Sequence, residues 1–370
     1  METGAMKYEE RIVFALRELY RRFGFQQFKM RKFEEYDLYA RNKDFLISDN
    51  IITFTDLNGK LMAQKPDVTL SIVRSGRDAE AGVQKVYYNE NVYRVSAASR
   101  GFREIMQAGV ECIGAVDDCC LAETLMLAVE SLRTISDDCV LDLSHLDIVS
   151  ELADALGVES VARREAIRCV GEKNLHGLED VCRAAGADEA ALAKLKTLVQ
   201  TSGAPQKVLP VLRSLGAAPR AVAQLETLAG ALDALGLGDY LRIDFSVVGD
   251  MRYYNGVVFK GFVSGVPAGV LSGGQYDRLM EKMHRRARAV GFAVYLDVLE
   301  RFSGETDAFD VDTVLLYAPG TPAPALLRAV QALSAGGRSV SAQPAAPEKL
   351  RYRRLARLDG EEVTILADNA

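Results

Sequence analysis

Polar side chains able to hold a small charged molecule occur near the middle of the first half of this 370-residue sequence. Arg94 ends one predicted strand, and Gln107 and Glu111 lie on the next. Their spacing puts Gln107 and Glu111 on one face of that strand, because side chains alternate between the two faces. An arginine, a glutamine and a glutamate converging on a sheet could hold a carboxylate and an ammonium group. Taken alone, they could equally be surface polar residues.

A second candidate is the segment KPDVT, residues 65–69. It precedes a helical pattern through Ile72 and Val73, and Pro66 and Asp67 are predicted to open this helix, with proline at an early helical position. The Asp67 carboxylate would then lie at a helix N-terminus, where capping is an ordinary role for it.

The third candidate comprises two nearby segments, GDMRYYNGVVF at 249–259 and GGQYD at 273–277. The glycine pair Gly273-Gly274 would let the backbone approach a ligand closely, or would simply mark a bulge. The tyrosines could supply hydroxyl groups at a pocket wall, or could simply pack. These tyrosines are Tyr253, Tyr254 and Tyr276.

Several elements must position these residues. Helical spacing predicts a helix over 7–23, and Asn58-Gly59 predicts the turn of a hairpin over 51–65. Residues 146–236 are rich in Ala, Leu, Glu and Arg, which predicts a string of helices inserted between two β-rich blocks. The other predicted elements are strands at 84–95 and 102–114, a helix at 118–134, strands at 241–247, 253–263 and 268–274, a helix from about Tyr276, and a strand-helix unit at 288–302.

Hairpin-linked strands, then helices, then strands again indicate the α+β class with an antiparallel sheet. Polar residues 304–310 read as a linker before a small C-terminal α/β module with a strand, a helix at 322–336 and a last strand EVTILAD. The basic run RYRRLAR at 351–357 is read as a solvated face of this module in preference to an RNA-binding patch. The predicted divisions are 1–145 and 239–303 for the two parts of one domain, 146–238 for the helical insertion, and 311–370 for the module.

Composition and charge argue against several classes of protein, namely nucleic-acid-coating, membrane-spanning, secreted and metal-binding proteins. A net charge of −6 argues against a nucleic-acid-coating protein, and the apolar stretches are too short to span a bilayer. The start lacks the features of a signal peptide. The 6 cysteines form no CxxC pair and the 3 histidines are scattered, so we expect a cytoplasmic protein with reduced thiols, no metal site and no cofactor. Adjacent Cys119-Cys120 is only a weak redox hint.

The order of these segments over about residues 6–303 resembles the catalytic domain of the class II histidyl-tRNA synthetases. The resemblance implies that this region has the class II synthetase-like antiparallel sheet flanked by helices. It also implies that the region forms an amino-acid pocket. The family segment R-P-E-G-T corresponds to residues 65–69, and Q-L-G-C-E corresponds to residues 107–111. The resemblance therefore implies a histidine site with these residues: Asp67, Thr69, Arg94, Gln107, Glu111, Tyr253, Tyr254, Gly273 and Tyr276.

The groups that activate the amino acid in these synthetases are altered. Gly249 stands where the family has a catalytic arginine, and Arg252 stands where it has an aspartate. Val298 replaces the motif 3 arginine that clamps the ATP γ-phosphate, with Arg301 three residues on. The family's motif 2 loop has the residues H-E-R, and this chain has Val95, Ser96 and Ala97 in their place. Adenylation needs positioned cations, so these changes predict that the chain is not an adenylating enzyme.

A retained pocket without an ATP clamp is similar to the paralogous family of regulatory subunits of ATP phosphoribosyltransferase in histidine biosynthesis. This resemblance implies a non-catalytic role, a short-form catalytic subunit as partner, self-association as a dimer within a hetero-oligomer, and histidine as effector. It implies neither a membrane nor tRNA as partner. The alternatives are an active histidyl-tRNA synthetase-like adenylating enzyme and a degenerate paralogue with another ligand.

Overall fold

The computed structural model describes residues 7–43, 46, 51–76, 82–95, 101–248, 253–299 and 309–369. Its strands, numbered along the chain, are β1 Gln26–Gln27, β2 Phe33–Glu35, β3 Thr53–Thr55, β4 Leu61–Gln64, β5 Val83–Val95, β6 Phe102–Gly114, β7 Cys139–His145, β8 Ser202–Gly203, β9 Leu241–Asp244, β10 Asn255–Val263, β11 Leu271–Gln275, β12 Arg288–Tyr295, β13 Val311–Tyr317, β14 Val340–Gln343, β15 Tyr352–Asp359 and β16 Glu362–Asp368.

The helices are numbered in the same way. They are α1 Tyr8–Arg22, α2 Tyr36–Arg41, α3 Thr69–Ser75, α4 Asp118–Arg133, α5 Leu146–Asp154, α6 Ser160–Gly171, α7 Leu175–Ala184, α8 Glu189–Gln200, α9 Pro205–Leu215, α10 Pro219–Ala234, α11 Asp277–Lys282 and α12 Ala323–Leu333. The chain divides into two compact units, Glu9–Phe302 and a second unit that contains Ser303–Ala370 with the first residues of the chain.

A mixed sheet forms the centre of the larger unit. Within the described residues it has nine strands in the order β1-β5-β6-β12-β11-β10-β7-β9-β8. The β1–β5 and β7–β9 pairings are parallel, and the other pairings are antiparallel. The sheet is therefore antiparallel at its centre, as the hairpin-linked pattern predicts. Strands β5 and β6 form its longest hairpin, with Tyr88 opposite Gly109.

The helical stretch between the β-rich blocks contains α5 to α10, as its composition predicts. Polar contacts fasten it to the sheet. Lys173, beyond α6, donates to Asp244 of β9 at 2.6 Å. The His145 ring, at the end of β7, lies 2.9 Å from the amide oxygen of Gln224 in α10. The division of residues 9–302 into a domain and an insertion remains a prediction.

A separate three-stranded sheet, β2-β4-β3, precedes α3. The β3–β4 hairpin turns at Asn58-Gly59 as predicted, and Gly59 has a φ of +79°, which glycine adopts without a steric penalty. The helix predicted to open at Pro66 and Asp67 was placed too early. It begins at Thr69, because Val68 supplies the first carbonyl that accepts an intrahelical bond.

Other predicted boundaries shift by a few residues. The strand predicted over 268–274 is β11, which begins at Leu271, and the strand predicted from 253 is β10, which begins at Asn255. In the unit predicted over 288–302, β12 forms the strand. Residues 296–299 form a bend and turn instead of the start of a helix, and residues 300–308 lie outside the described residues. The described part of the predicted linker, 309–310, is likewise not helix or strand.

The C-terminal unit contains the small α/β module. Its four-stranded sheet has the order β14-β13-β15-β16, with β13 parallel to both of its neighbours. Leu315 and Ala356 of the sheet pack with Ala329 of α12 in its core. The basic run lies largely on β15. Arg354 donates to Asp368 at 2.9 Å, so this arginine serves an ion pair within the module.

Candidate functional site

A cavity of about 530 Å³ opens against the central sheet of the larger unit. Every residue proposed for the pocket from the sequence lines it. The residues come from separate segments that the sheet brings together: Asp67, Thr69, Arg94, Gln107, Glu111, Tyr253, Tyr254, Gly273 and Tyr276. Their role in binding histidine remains a prediction.

Glu111 lies on β6 at the inner wall of the cavity and is 2 % exposed. Thr69 at the start of α3 donates to one carboxyl oxygen at 2.6 Å. Tyr276, just before α11, donates to the other at 2.5 Å. Burial raises the pKa of Glu111 to about 8, although these two hydrogen bonds oppose the shift. Without a ligand, the group is therefore largely protonated at neutral pH.

Asp67 is a second buried carboxyl group at the cavity. It accepts a hydrogen bond from the backbone N–H of Leu70 at 2.9 Å, so it has the capping role considered from the sequence and also lines the cavity. Burial raises its pKa, while the Leu70 hydrogen bond and the charge of Arg94 oppose this shift. Two acidic groups in one enclosed space favour a ligand that carries a positive charge.

Arg94 has both a structural contact and a place at the cavity. Its Nε donates to the carbonyl oxygen of Pro66 at 3.1 Å, which ties the end of β5 to the segment that carries Asp67. Lys65, 1 % exposed, anchors the same segment through an ion pair with Glu90 at 2.7 Å. These two contacts hold residues 65–69 against β5.

The paired tyrosines form an aromatic wall. The rings of Tyr253 and Tyr254 have their centroids 4.6 Å apart with an interplanar angle of 67°, and Tyr253 lies 6.0 Å from Tyr276. Burial raises the pKa of all three phenols well above the usual value, so their hydroxyl groups stay protonated and can donate hydrogen bonds.

Two glycines that line the cavity allow close packing there. A Cβ on Gly273 would lie 2.4 Å from the carbonyl oxygen of Gly291, so close backbone packing accounts for this residue of the GGQYD segment. A Cβ on Gly291 would lie 1.8 Å from a carboxyl oxygen of Glu111. Only glycine at 291 leaves room for the Glu111 side chain, and the sequence alone did not single this position out.

Further polar residues at the cavity were also missed. Tyr88 is 2 % exposed and lies on β5 opposite Gly109, between the positions of Gln107 and Glu111. The hydroxyl groups of Tyr295 and Ser272 share a hydrogen bond of 2.7 Å, and Lys260 lines another part of the cavity wall. The strand register of the β5–β6 hairpin could have indicated Tyr88, because it places that residue on the Gln107 and Glu111 face.

Only some of the positions where the synthetases' amino-acid-activating groups were predicted to be lost lie within the described residues. Gly249, Arg252 and Arg301 lie outside the described residues, as do Ser96 and Ala97. Val298 lies in the turn after β12. Its neighbour Asp297 pairs with Arg103 at 3.5 Å. Among the described residues that line the cavity, the cationic side chains are Arg94 and Lys260.

In the described parts of the chain, no helix is long and apolar enough to cross a membrane. No group of three or more His, Cys, Asp or Glu side chains in those parts is arranged to hold a metal ion. The described residues that line the cavity supply carboxyl, phenol, amide, ammonium and guanidinium groups. Together they can hold a small molecule with both a positive and a negative group.

Comparison with known proteins identifies the family. The model of the family described as Histidyl-tRNA synthetase matches residues 3–299, which is most of the chain. The chain belongs to the histidyl-tRNA synthetase family. This match includes every segment that lines the cavity.

Individual relatives of this chain carry another name. A protein of Alkaliphilus metalliredigens named ATP phosphoribosyltransferase regulatory subunit is 27% identical over 289 residues, covering 75% of this chain and 72% of the relative. A protein of the same name from Clostridium kluyveri is 28% identical, covering 76% and 74%. This confirms the resemblance to these regulatory subunits, which was predicted from the retained pocket and the altered ATP-binding positions.

Solved structures share the fold. An ATP phosphoribosyltransferase regulatory subunit/histidyl-tRNA synthetase from Bacillus halodurans C superposes with a TM-score of 0.77 at 23% identity, covering 94% of this chain and 93% of that one. The HisG:HisZ ATP phosphoribosyl transferase complex from Thermotoga maritima includes a chain with a TM-score of 0.64 at 18% identity, covering 79% and 98%. These likenesses confirm the predicted class II synthetase-like α+β fold.

Proposed function

We propose that this chain is a non-catalytic regulatory subunit of ATP phosphoribosyltransferase in histidine biosynthesis. The observation that carries the proposal is the name shared by relatives that align with about three-quarters of the chain. In this proposal it activates a short catalytic subunit in the cytoplasm, as a dimer within a hetero-oligomer, and does not engage tRNA. Its central cavity binds histidine and relays feedback inhibition.

The cavity chemistry supports an amino-acid effector. The carboxyl groups of Asp67 and Glu111 suit a ligand with an ammonium group and a ring N–H, and Arg94 suits its carboxylate. Feedback through this site requires that histidine bind two states of the complex with different affinities. The predicted contribution of each side chain to histidine binding can be tested separately.

Calorimetry with histidine tests the site. The ammonium group of bound histidine would favour the ionised form of Glu111, and truncating one partner of such a buried charged contact costs about 2–5 kcal/mol. Glu111→Ala is therefore expected to weaken binding by about thirty-fold or more. Glu104→Ala is the matched control, because Glu104 lies on the same strand but is exposed. Equal binding by the wild type and Glu111→Ala would show that histidine does not use this cavity.

The non-catalytic part of the proposal rests on the residues that would have to bind ATP. Val298 cannot neutralise a phosphate, and each lost transition-state contact of this kind typically costs several kcal/mol of barrier. Pyrophosphate exchange with histidine and ATP is therefore expected to stay at background. Robust exchange would instead establish the alternative of an active histidyl-tRNA synthetase-like enzyme.

Co-purification tests the proposed partner. The full chain should retain a short ATP phosphoribosyltransferase catalytic subunit and raise its turnover, and added histidine should reverse that increase. A chain that binds histidine but not the catalytic subunit would refute the regulatory role while leaving the pocket assignment intact. Failure to bind either would favour a degenerate paralogue with another ligand.

A further inference from the structure

The Asp277 carboxylate, at the end of the GGQYD segment, contacts two neighbouring strands. Asp277 is the first residue of α11 and directly follows Tyr276. Its Oδ1 accepts a hydrogen bond from the backbone N–H of Ala289 in β12 at 2.9 Å. Its Oδ2 accepts from the side-chain amide of Asn255 in β10 and from Nε of Arg288, each at 3.2 Å. One carboxylate therefore joins the starts of β10, β12 and α11.

Two backbone groups on either side of Asp277 bond the same two strands. The N–H of Tyr276 donates to the carbonyl oxygen of Ala289 at 3.0 Å. The N–H of Arg278 donates to the side-chain oxygen of Asn255 at 3.3 Å. The chain is thus held before, at and after Asp277, which fixes the direction in which the Tyr276 side chain leaves the backbone.

The residues that Asp277 contacts are close in sequence to residues that line the candidate site. Asn255 directly follows Tyr254, which is part of the aromatic wall. Ala289 lies two residues before Gly291, and Gly291 lies opposite Glu111 in the β6–β12 register. The hydrogen bonds of this one carboxylate therefore act on several segments of the cavity wall at the same time.

A contribution to stability does not fully account for these contacts. The Arg288 side chain is 50 % exposed, and an ion pair with such a partner adds little to stability. The hydrogen bonds instead fix a position. The Tyr276 hydroxyl donates to the Glu111 carboxyl group at 2.5 Å, and a hydrogen bond weakens steeply when its distance or angle departs from the optimum. A small displacement at the start of α11 would therefore cost this bond.

We propose that Asp277 is a positioning residue of the candidate site. Its carboxylate fixes the start of α11 against β10 and β12, so that the Tyr276 hydroxyl meets Glu111. Asp277 does not line the cavity, so it acts through Tyr276 and not on a ligand directly. The effect on histidine binding rests on the proposed function, whereas the positioning of Tyr276 does not.

A double-mutant cycle in the ligand-free full chain tests the positioning. Urea unfolding of the wild type, Tyr276→Phe, Glu111→Ala and the double variant gives the coupling between the Tyr276 hydroxyl and Glu111. The same cycle is then measured in a chain that carries Asp277→Ala. We expect a coupling in the wild-type chain that is lost with Asp277→Ala. Glu281→Ala is the matched control, because Glu281 is an exposed residue of the same helix, and it should leave the coupling unchanged.

A purely structural role for Asp277 predicts a different result. Asp277→Ala would then lower the stability of all four members of the cycle equally, and the coupling would survive. That result would overturn the proposal, and so would the absence of any coupling in the wild-type chain. If Asp277→Ala does not fold, Asp277→Asn replaces it. Its amide can accept from Ala289 but not also from Asn255 and Arg288, so the coupling should be weakened, and an unchanged coupling would contradict the proposal.

Calorimetry with histidine extends the test to the proposed ligand. Asp277→Ala is expected to weaken histidine binding about tenfold, because a displaced Tyr276 no longer supports the Glu111 carboxylate. In a chain that already carries Tyr276→Phe, Asp277→Ala should weaken binding much less. Equal weakening in both chains would show that Asp277 does not act through Tyr276, which overturns the proposal. If the wild type does not bind histidine, the proposed function is refuted, and the unfolding cycle still decides the role of Asp277.

Discussion

Replacing Glu111 with glutamine is expected to stabilise the ligand-free chain, and increasingly so as the pH rises. The glutamine amide has nearly the same shape and can still bond Thr69 and Tyr276, which donate to the carboxyl group in the wild type. What the substitution removes is the cost of ionising a carboxyl group that is 2 % exposed.

The sign and size follow from the pKa. Burial raises the pKa of Glu111 from 4.5 to about 8 in the folded chain. Between these values the folded chain keeps a proton that the unfolded chain has lost, so this contribution to stability is complete below pH 4.5 and is lost as the pH rises towards 8. The loss is about 1.4 kcal/mol for each pH unit, which amounts to about 3 kcal/mol at pH 7.

Thermal unfolding at pH 5, 6, 7 and 8 measures this effect in the ligand-free chain. The glutamine variant should melt above the wild type by a margin that widens with pH and reaches roughly 6 °C at neutral pH. Glu104→Gln, an exposed carboxylate on the same strand, controls for the loss of one charge and should follow the wild type.

A constant offset between Glu111→Gln and the wild type across this pH range would refute the reasoning. It would mean that Glu111 has the same pKa in the folded and unfolded chains, so that its burial is compensated by charges or water at the cavity. A margin that narrows with rising pH would show that the folded chain stabilises the carboxylate, which is the opposite sign.

Two further substitutions test how the site and the sheet are held. Gly291→Ala places a Cβ against Glu111 and is expected to lower stability by at least about 2 kcal/mol in thermal unfolding. Gly230→Ala, with open space around it inside helix α10, should instead raise stability by up to about 1 kcal/mol. Arg242→Met leaves the buried Asp142, which accepts two hydrogen bonds at 2.7 Å from that arginine, without its partner. Because Arg242 is half-exposed, we expect a loss of about 1–3 kcal/mol in the same assay, partly recovered by adding Asp142→Asn.

Much of the fold could be predicted from local patterns. The β5 and β6 strands and helix α4 were predicted within a residue or so, because alternation and helical spacing are strong over long elements. The start of α3 was misplaced because Pro66 resembles a first-turn proline, while the hydrogen bonds assign that role to later residues. The turn at 296–299 likewise depends on contacts that a pattern does not contain.

The sequence by itself determined which residue types were available and in what order, and that order was enough to indicate the family. Tertiary structure decided what those residues do to one another. It placed Glu111 between Thr69 and Tyr276, and it required glycine at 291. The reason is that burial, register and contact between distant segments set protonation and packing, and none of these is a local property of the chain.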